Sequence, residues 1–179
     1  ILVEHYIISS GLREIIEGTA IAKDFTHIYA SSFYYNEHGE PCWPAQVINY
    51  TNKTQFLFRI EKGILDINDN AVNDHFAEGE LRVPFRNIVY IGDSATDIPC
   101  MRLVNSLGGH SVGVYDSENT ASKDTVRRMI RDERIRYYVP ADYTKGSEMD
   151  TLMHQIIDKT AAYEVLEEKH LRDRKEAVR

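Results

Sequence analysis

Ile88-Val-Tyr-Ile-Gly-Asp-Ser-Ala-Thr-Asp-Ile-Pro-Cys-Met101 is the stretch that decides the fold. It opens as a short apolar run of β-branched and aromatic residues, the composition of a buried strand. The run breaks at Gly92, and two carboxylates follow, Asp93 and Asp97. Pro99 then stands where a helix begins, and Ile98, Met101, Leu103, Val104 and Leu107 recur at helical spacing. The stretch therefore predicts strand, acidic turn, helix. In an open α/β sheet, sites form at the carboxyl edge of the strands. Asp93 falls at that edge and Asp97 in the first helical turn. Two carboxylates this close repel unless a cation or hydrogen bonds compensate. Hard oxygen ligands suit Mg²⁺, which takes one or two protein carboxylates and keeps several waters. The plainer alternative is helix-start and turn chemistry, since Asp favours the first helical turn and Gly-Asp is a common turn pair.

Outward from this stretch the chain alternates strands with helices. Upstream, Val3 to Ser9 predicts a strand that ends in the hydroxyl-rich turn Ser9-Ser10-Gly11. Leu12, Ile15, Ile16, Thr19 and Ala20 then recur at helical spacing. Thr26 to Ser31 predicts a further strand. Phe33 to Tyr35 and Val47 to Tyr50, flanking a turn-rich segment from Asn36, predict a hairpin. Residues 52–62 predict a helix with Phe56, Leu57 and Ile60 on one face. Downstream, Ser111 to Tyr115 predicts a strand, Thr120 to Arg131 an exposed basic helix, and Ile135 to Val139 an edge strand stopped by Pro140. From Ser147 an apolar stripe of Met149, Leu152, Met153, Ile156 and Ile157 predicts a helix. It continues from Glu164 as a charged tail that frays at its end. Alternation of this kind argues an α/β fold with a mostly parallel sheet covered on both faces.

The 179 residues suffice for one domain and a single core, and 42% of them are hydrophobic. A net charge of −7 gives no electrostatic footprint for nucleic acid. No apolar run approaches the ~18 residues of a membrane span. The two cysteines, Cys42 and Cys100, lie in apolar surroundings without a Cys-x-x-Cys pattern, which reads as reduced thiols and a cytoplasmic location. The chain opens Ile-Leu-Val-Glu-His and enters a strand almost at once, as the middle of a domain would.

Two further positions carry chemistry. Ser9 ends its strand as Asp93 ends its own, and hydroxyls and N–H groups there suit an anion; a plain helix cap is the alternative. Asn52-Lys-Thr-Gln55 has the form of a capping box with Asn52 as cap. Lys53 would then begin the helix, with its cation at the positive end of the dipole, at a cost of several tenths of a kcal/mol. A nearby carboxylate or phosphate would offset that; otherwise the lysine bends into solvent. Gly108 to Gly113 precedes its strand and so makes no dinucleotide loop. The histidines lack a zinc spacing, and no Gly-x-Ser-x-Gly elbow exists.

Taken in order, these motifs resemble the haloacid dehalogenase superfamily, its phosphoserine-phosphatase-like branch most. Ile7-Ile-Ser-Ser-Gly11 looks like that family's second motif, with Ser9 and Ser10 on the phosphate. Asn52-Lys-Thr-Gln55 looks like the third, with Lys53 the phosphate-neutralising lysine. Ile91-Gly-Asp-Ser-Ala-Thr-Asp97 looks like the fourth, with Asp93 and Asp97 at Mg²⁺. Ser94 and Thr96 depart from the Gly and Asn that relatives often carry. The family's first motif, Asp-x-Asp, is missing: no Asp-x-Asp here follows an apolar strand. The resemblance implies a Rossmann-like core over residues 1–163, with a small hairpin insertion at 32–50 and a charged helical tail at 164–179.

It further implies the carboxyl-terminal part of a Mg²⁺-dependent phosphatase. Such an enzyme hydrolyses a small phosphate monoester through an aspartyl-phosphate formed upstream of this chain, so the chain alone would be inactive. The alternative is a silent fragment or scaffold without a nucleophile. The first-motif strand belongs between the Ser9 and Asp93 strands. The resemblance therefore implies a gap there, filled by the missing amino-terminal segment of the same protein or by a second copy.

Overall fold

The structure, a computed structural model, describes residues 2–177. The expected fraying of the tail falls on Val178 and Arg179, outside the described residues. The chain forms an α/β fold of two three-stranded sheets with helices. In the first sheet β1 (Tyr6–Leu12) pairs parallel with β2 (His27–Tyr35), which pairs antiparallel with β3 (Pro41–Gln46). In the second, β4 (Val89–Gly92), β5 (His110–Tyr115) and β6 (Tyr137–Pro140) run parallel in that order. The helices are α1 (Arg13–Glu17), α2 (Thr54–Lys62), α3 (Ile98–Ser106), α4 (Thr120–Arg131) and α5 (Glu148–Ala177).

Every residue of β5 is buried, as a strand covered on both faces requires. Val112 and Val114 pack with Met149 and Ile156 of α5. Tyr115 joins the opposite cluster with Tyr90, Met101 and Val104 of β4 and α3 and Val126 of α4. α2 lies astride the two sheets. Its Leu57 belongs to this β4–α3 cluster, whereas Phe56 and Ile60 pack with Tyr29 of the first sheet and with Ile48, just past β3. Gly63 ends α2 in the left-handed region at φ 73°, where a side chain would also strike Arg82.

β1 and β4 do not pair with each other; among the described residues each has one ladder partner and one free edge. These two strands are also incompletely covered. No residue of β1 is fully buried, and Ile91 of β4 is 41% exposed.

Several elements differ from the sequence expectation. β1 begins at Tyr6 rather than Val3, because pairing starts where Tyr6 meets His27. It runs on to Leu12 through an irregularity after Ser9, where the Gly11 N–H donates to Ser9 Oγ at 3.0 Å. α1 spans five residues and buries none of them; Ile15 has no apolar surface to cover it. The hairpin returns on Pro41–Gln46 rather than Val47 to Tyr50, because Asn36 closes the turn early by accepting from the N–H groups of His38 and Glu40. The capping box at Asn52 does not form. Asn52 instead accepts from Asn49 N and donates to Val47 O, closing the preceding turn, and Lys53 takes the cap position. Cys42 is exposed on the hairpin, whereas Cys100 is buried as expected. The charged tail is the continuation of α5.

Candidate functional site

The acidic turn forms as its sequence predicts. β4 ends at Gly92, residues Ala95–Asp97 make one 3-10 turn, and α3 follows with Pro99 in its first turn. Asp97 is folded back against the strand it has just left. A side chain on Gly92 would lie 2.8 Å from both Cβ and Cγ of Asp97, so only glycine permits this approach. Asp97 is 6% exposed and would be costly to bury charged without partners. It has three. Lys53 Nζ donates to Oδ1 at 2.8 Å, the Tyr90 hydroxyl donates to the same oxygen at 2.9 Å, and Ser94 Oγ donates to Oδ2 at 3.1 Å. Ser94 in turn shares a 2.7 Å hydrogen bond with the Thr96 hydroxyl.

Lys53 is itself buried, 6% exposed, at the start of α2. A cation there opposes the helix dipole and loses water. Its bond to Asp97, across 44 residues of sequence, is the compensation. The other buried cation, Arg59, is settled differently, by the main-chain carbonyls of Asp66, Ile67 and Asp69 at 2.6, 2.9 and 3.2 Å. That arginine holds a loop. Lys53 meets a carboxylate next to an exposed acidic turn.

Asp93 is exposed and, among the described residues, makes no side-chain hydrogen bond or ion pair. Burial, and then the charge of Asp93, push the Tyr143 hydroxyl above its ordinary range. Ser9 is half-buried at the last regular pairing of β1, opposite Ala30, and Ser10 is exposed. Ser9 shares no hydrogen bond with Lys53, Asp93 or Asp97 among the described residues. The structure therefore joins Lys53 to Asp97 directly and leaves Ser9, Ser10 and Asp93 free of that network.

Tyr90 was not legible as a site residue. A tyrosine in an otherwise aliphatic and glycine strand was the available signal, because a buried phenol needs a partner. Burial, the neighbouring Cys100 thiol and the Asp97 charge push its pKa far up, and burial pushes the Cys100 thiol up to about 11.

As to a metal, no group of three or more His, Cys, Asp or Glu side chains among the described residues is arranged to hold one. Asp93 offers a free carboxylate of the kind Mg²⁺ takes, while both oxygens of Asp97 are engaged by protein donors.

Fold and site together define an α/β protein with a buried lysine–carboxylate pair behind an exposed acidic turn. Comparison with known proteins adds little to that. No family model matches the chain, and no solved structure does. An uncharacterized protein of Borreliella burgdorferi is 26% identical over 161 residues, covering 80% of this chain and 54% of that protein. The chain thus spans about half the length of this curated relative. No helix among the described residues is long and apolar enough to cross a membrane.

Proposed function

We propose that this chain is the carboxyl-terminal part of a haloacid dehalogenase-type phosphatase of the phosphoserine-phosphatase-like branch, a Mg²⁺-dependent hydrolase of a small phosphate monoester. The observation that carries the proposal is the 2.8 Å contact of buried Lys53 with Asp97, beside the free carboxylate of Asp93. An ammonium has three N–H donors. One is spent on Asp97, and the others are available to phosphoryl oxygens. Lys53 would neutralise charge on those oxygens from a fixed position, the form of electrostatic stabilisation phosphoryl transfer needs. The Ser9 hydroxyl, the Ser10 backbone and the turn around them would hydrogen-bond the phosphate. Asp93 would hold Mg²⁺, which when bound supplies further positive charge against the phosphoryl group. Asp97 would act by holding Lys53 rather than as a direct metal ligand.

The nucleophile of this reading is an Asp carried upstream of the chain. A strand bearing it would fit between the free edges of β1 and β4, pairing with both, and would cover Ile91. An interior edge left open is both a loss of hydrogen bonding and an aggregation template. We assign the filling strand to an amino-terminal segment of the same protein, with a second copy as the other source.

The test compares the 179-residue chain with the longer reading frame on a panel of phosphate monoesters and haloacids, with Mg²⁺ and with EDTA. The longer protein releases phosphate only with Mg²⁺, Asp93→Asn lowers its rate more than Ser9→Ala does, and the chain alone is inactive. Robust Mg²⁺-dependent turnover by the pure chain overturns the upstream nucleophile. A folded, inactive long form favours the second reading, a scaffold without a nucleophile, which is motivated by the lack of an Asp-x-Asp after any strand in residues 1–179.

A further inference from the structure

Tyr90 is the one member of the buried network that neither the turn nor the helix supplies. It sits on β4, 8% exposed, and reaches Asp97 seven residues later. Packing alone does not call for its hydroxyl: a phenylalanine would fill the same space among Met101, Val104 and Val126. Burying a phenol is unfavourable unless its O–H is satisfied. Here the acceptor is Asp97 Oδ1, the same oxygen that meets Lys53.

Two donors on Oδ1, one on Oδ2, and the missing side chain at Gly92 together leave the carboxylate one orientation. Each donor comes from a different element. Lys53 lies at the start of α2, Tyr90 on the strand, and Ser94 in the turn. Ser94 is divided between Asp97 and the Thr96 hydroxyl, so its hold on Oδ2 is shared. The Tyr90 hydroxyl, by contrast, donates its one proton to Asp97 Oδ1, at 2.9 Å. Without the phenol, Oδ1 has Lys53 alone and Oδ2 only the shared Ser94 hydroxyl, so the carboxylate is held less firmly about its last torsion and the ammonium with it.

We propose that Tyr90 is a positioning residue: its hydroxyl fixes the Asp97 carboxylate and, through it, the place of the Lys53 ammonium. For catalysis this rests on the phosphatase reading given above; for the geometry of the pair it does not. Tyr90 touches no substrate. Its effect falls on the rate at saturation, because a displaced ammonium costs orientation at the reacting group rather than affinity for the whole ester.

The test uses the longer protein with p-nitrophenyl phosphate and Mg²⁺, and Tyr90→Phe as the variant that keeps the ring. Tyr90→Phe lowers kcat about tenfold with KM within about twofold. It adds no further loss in an Asp97→Asn background, because both substitutions break one link. Tyr115→Phe, a buried tyrosine on β5, changes neither constant. An unchanged kcat in Tyr90→Phe, or losses that multiply with Asp97→Asn, overturns the positioning role and leaves the phosphatase reading standing. If the wild-type protein is folded but inactive, the phosphatase reading fails. Tyr90 is then decided by the ¹⁵N-detected ammonium signal of Lys53. A signal present in the wild type and broadened away in Tyr90→Phe upholds the positioning of the pair, and an identical signal in both overturns it.

Discussion

Asp97 and Lys53 are joined by one short contact, yet their removal has unequal consequences. Both side chains are under 10% exposed and lie 2.8 Å apart. At an effective dielectric of about 20, charges at that distance attract by about 6 kcal/mol before the cost of desolvation is subtracted. Asp97→Asn leaves the Lys53 ammonium buried beside a neutral amide, with no other acceptor among the described residues. Breaking a buried pair in this way costs about 3–5 kcal/mol. Lys53→Met leaves Asp97 charged but still bonded to the Tyr90 and Ser94 hydroxyls at 2.9 and 3.1 Å. Each of those charge-assisted bonds is worth about 1.5–3 kcal/mol, so the carboxylate is not left uncompensated and this substitution costs less than Asp97→Asn does.

The double variant Lys53→Met/Asp97→Asn removes both charges and is more stable than Asp97→Asn alone. Urea denaturation followed by circular dichroism at 222 nm, with m unchanged, reads the order directly. In thermal scans Asp97→Asn lowers Tm by roughly 6–20 °C, at about 2–4 °C per kcal/mol for a chain of this size. Equal losses for the two single variants, or a loss under about 1 kcal/mol for Asp97→Asn, refute the argument that Asp97 is the better-satisfied partner.

Three other measurements test the packing described above. Cys42 is exposed and Cys100 buried with its thiol pushed up to about 11, so Ellman's reagent titrates one thiol in the native chain and two in denaturant; two fast native thiols contradict the packing of α3. That same shift has a sign. A raised folded pKa binds the proton more tightly than the unfolded chain does, so stability is full below about pH 9 and falls by roughly 2–3 kcal/mol towards pH 11. Burial lowers His110, the opposite case, so stability also declines as pH falls below about 6.5; denaturation midpoints from pH 4 to 11 check both limbs, and a flat profile contradicts them. Gly92→Ala places a methyl 2.8 Å from Asp97 and Met101, and costs about 1–3 kcal/mol while loosening Lys53; a neutral effect on the urea midpoint is the contrary result.

The sequence by itself determined the strand, acidic turn and helix at Ile88 to Met101, because apolar run, glycine, carboxylates and proline follow one another locally. For the same reason it determined α4, from Thr120 to Arg131, and the apolar stripe that starts α5. It marked Lys53 as a cation in an unfavourable place, since a helix start is a local feature, and it named a carboxylate among the groups that would offset it. Only the tertiary structure decided which carboxylate, and that Asp97 rather than Asp93 is the one withdrawn from solvent. That choice depends on how α2 lies against α3 and the turn before it, a contact between residues 44 apart that no local spacing encodes.

Asn52 shows the same limit: its side chain had two uses of similar worth, a helix cap or a turn closure, and the path of residues 47–52 selected the second. Tyr90 looked like core because a strand residue's neighbours along the chain say nothing of what its far end reaches. The free edges of β1 and β4 are likewise a property of pairing across the fold, where backbone groups find partners far away in sequence or find none.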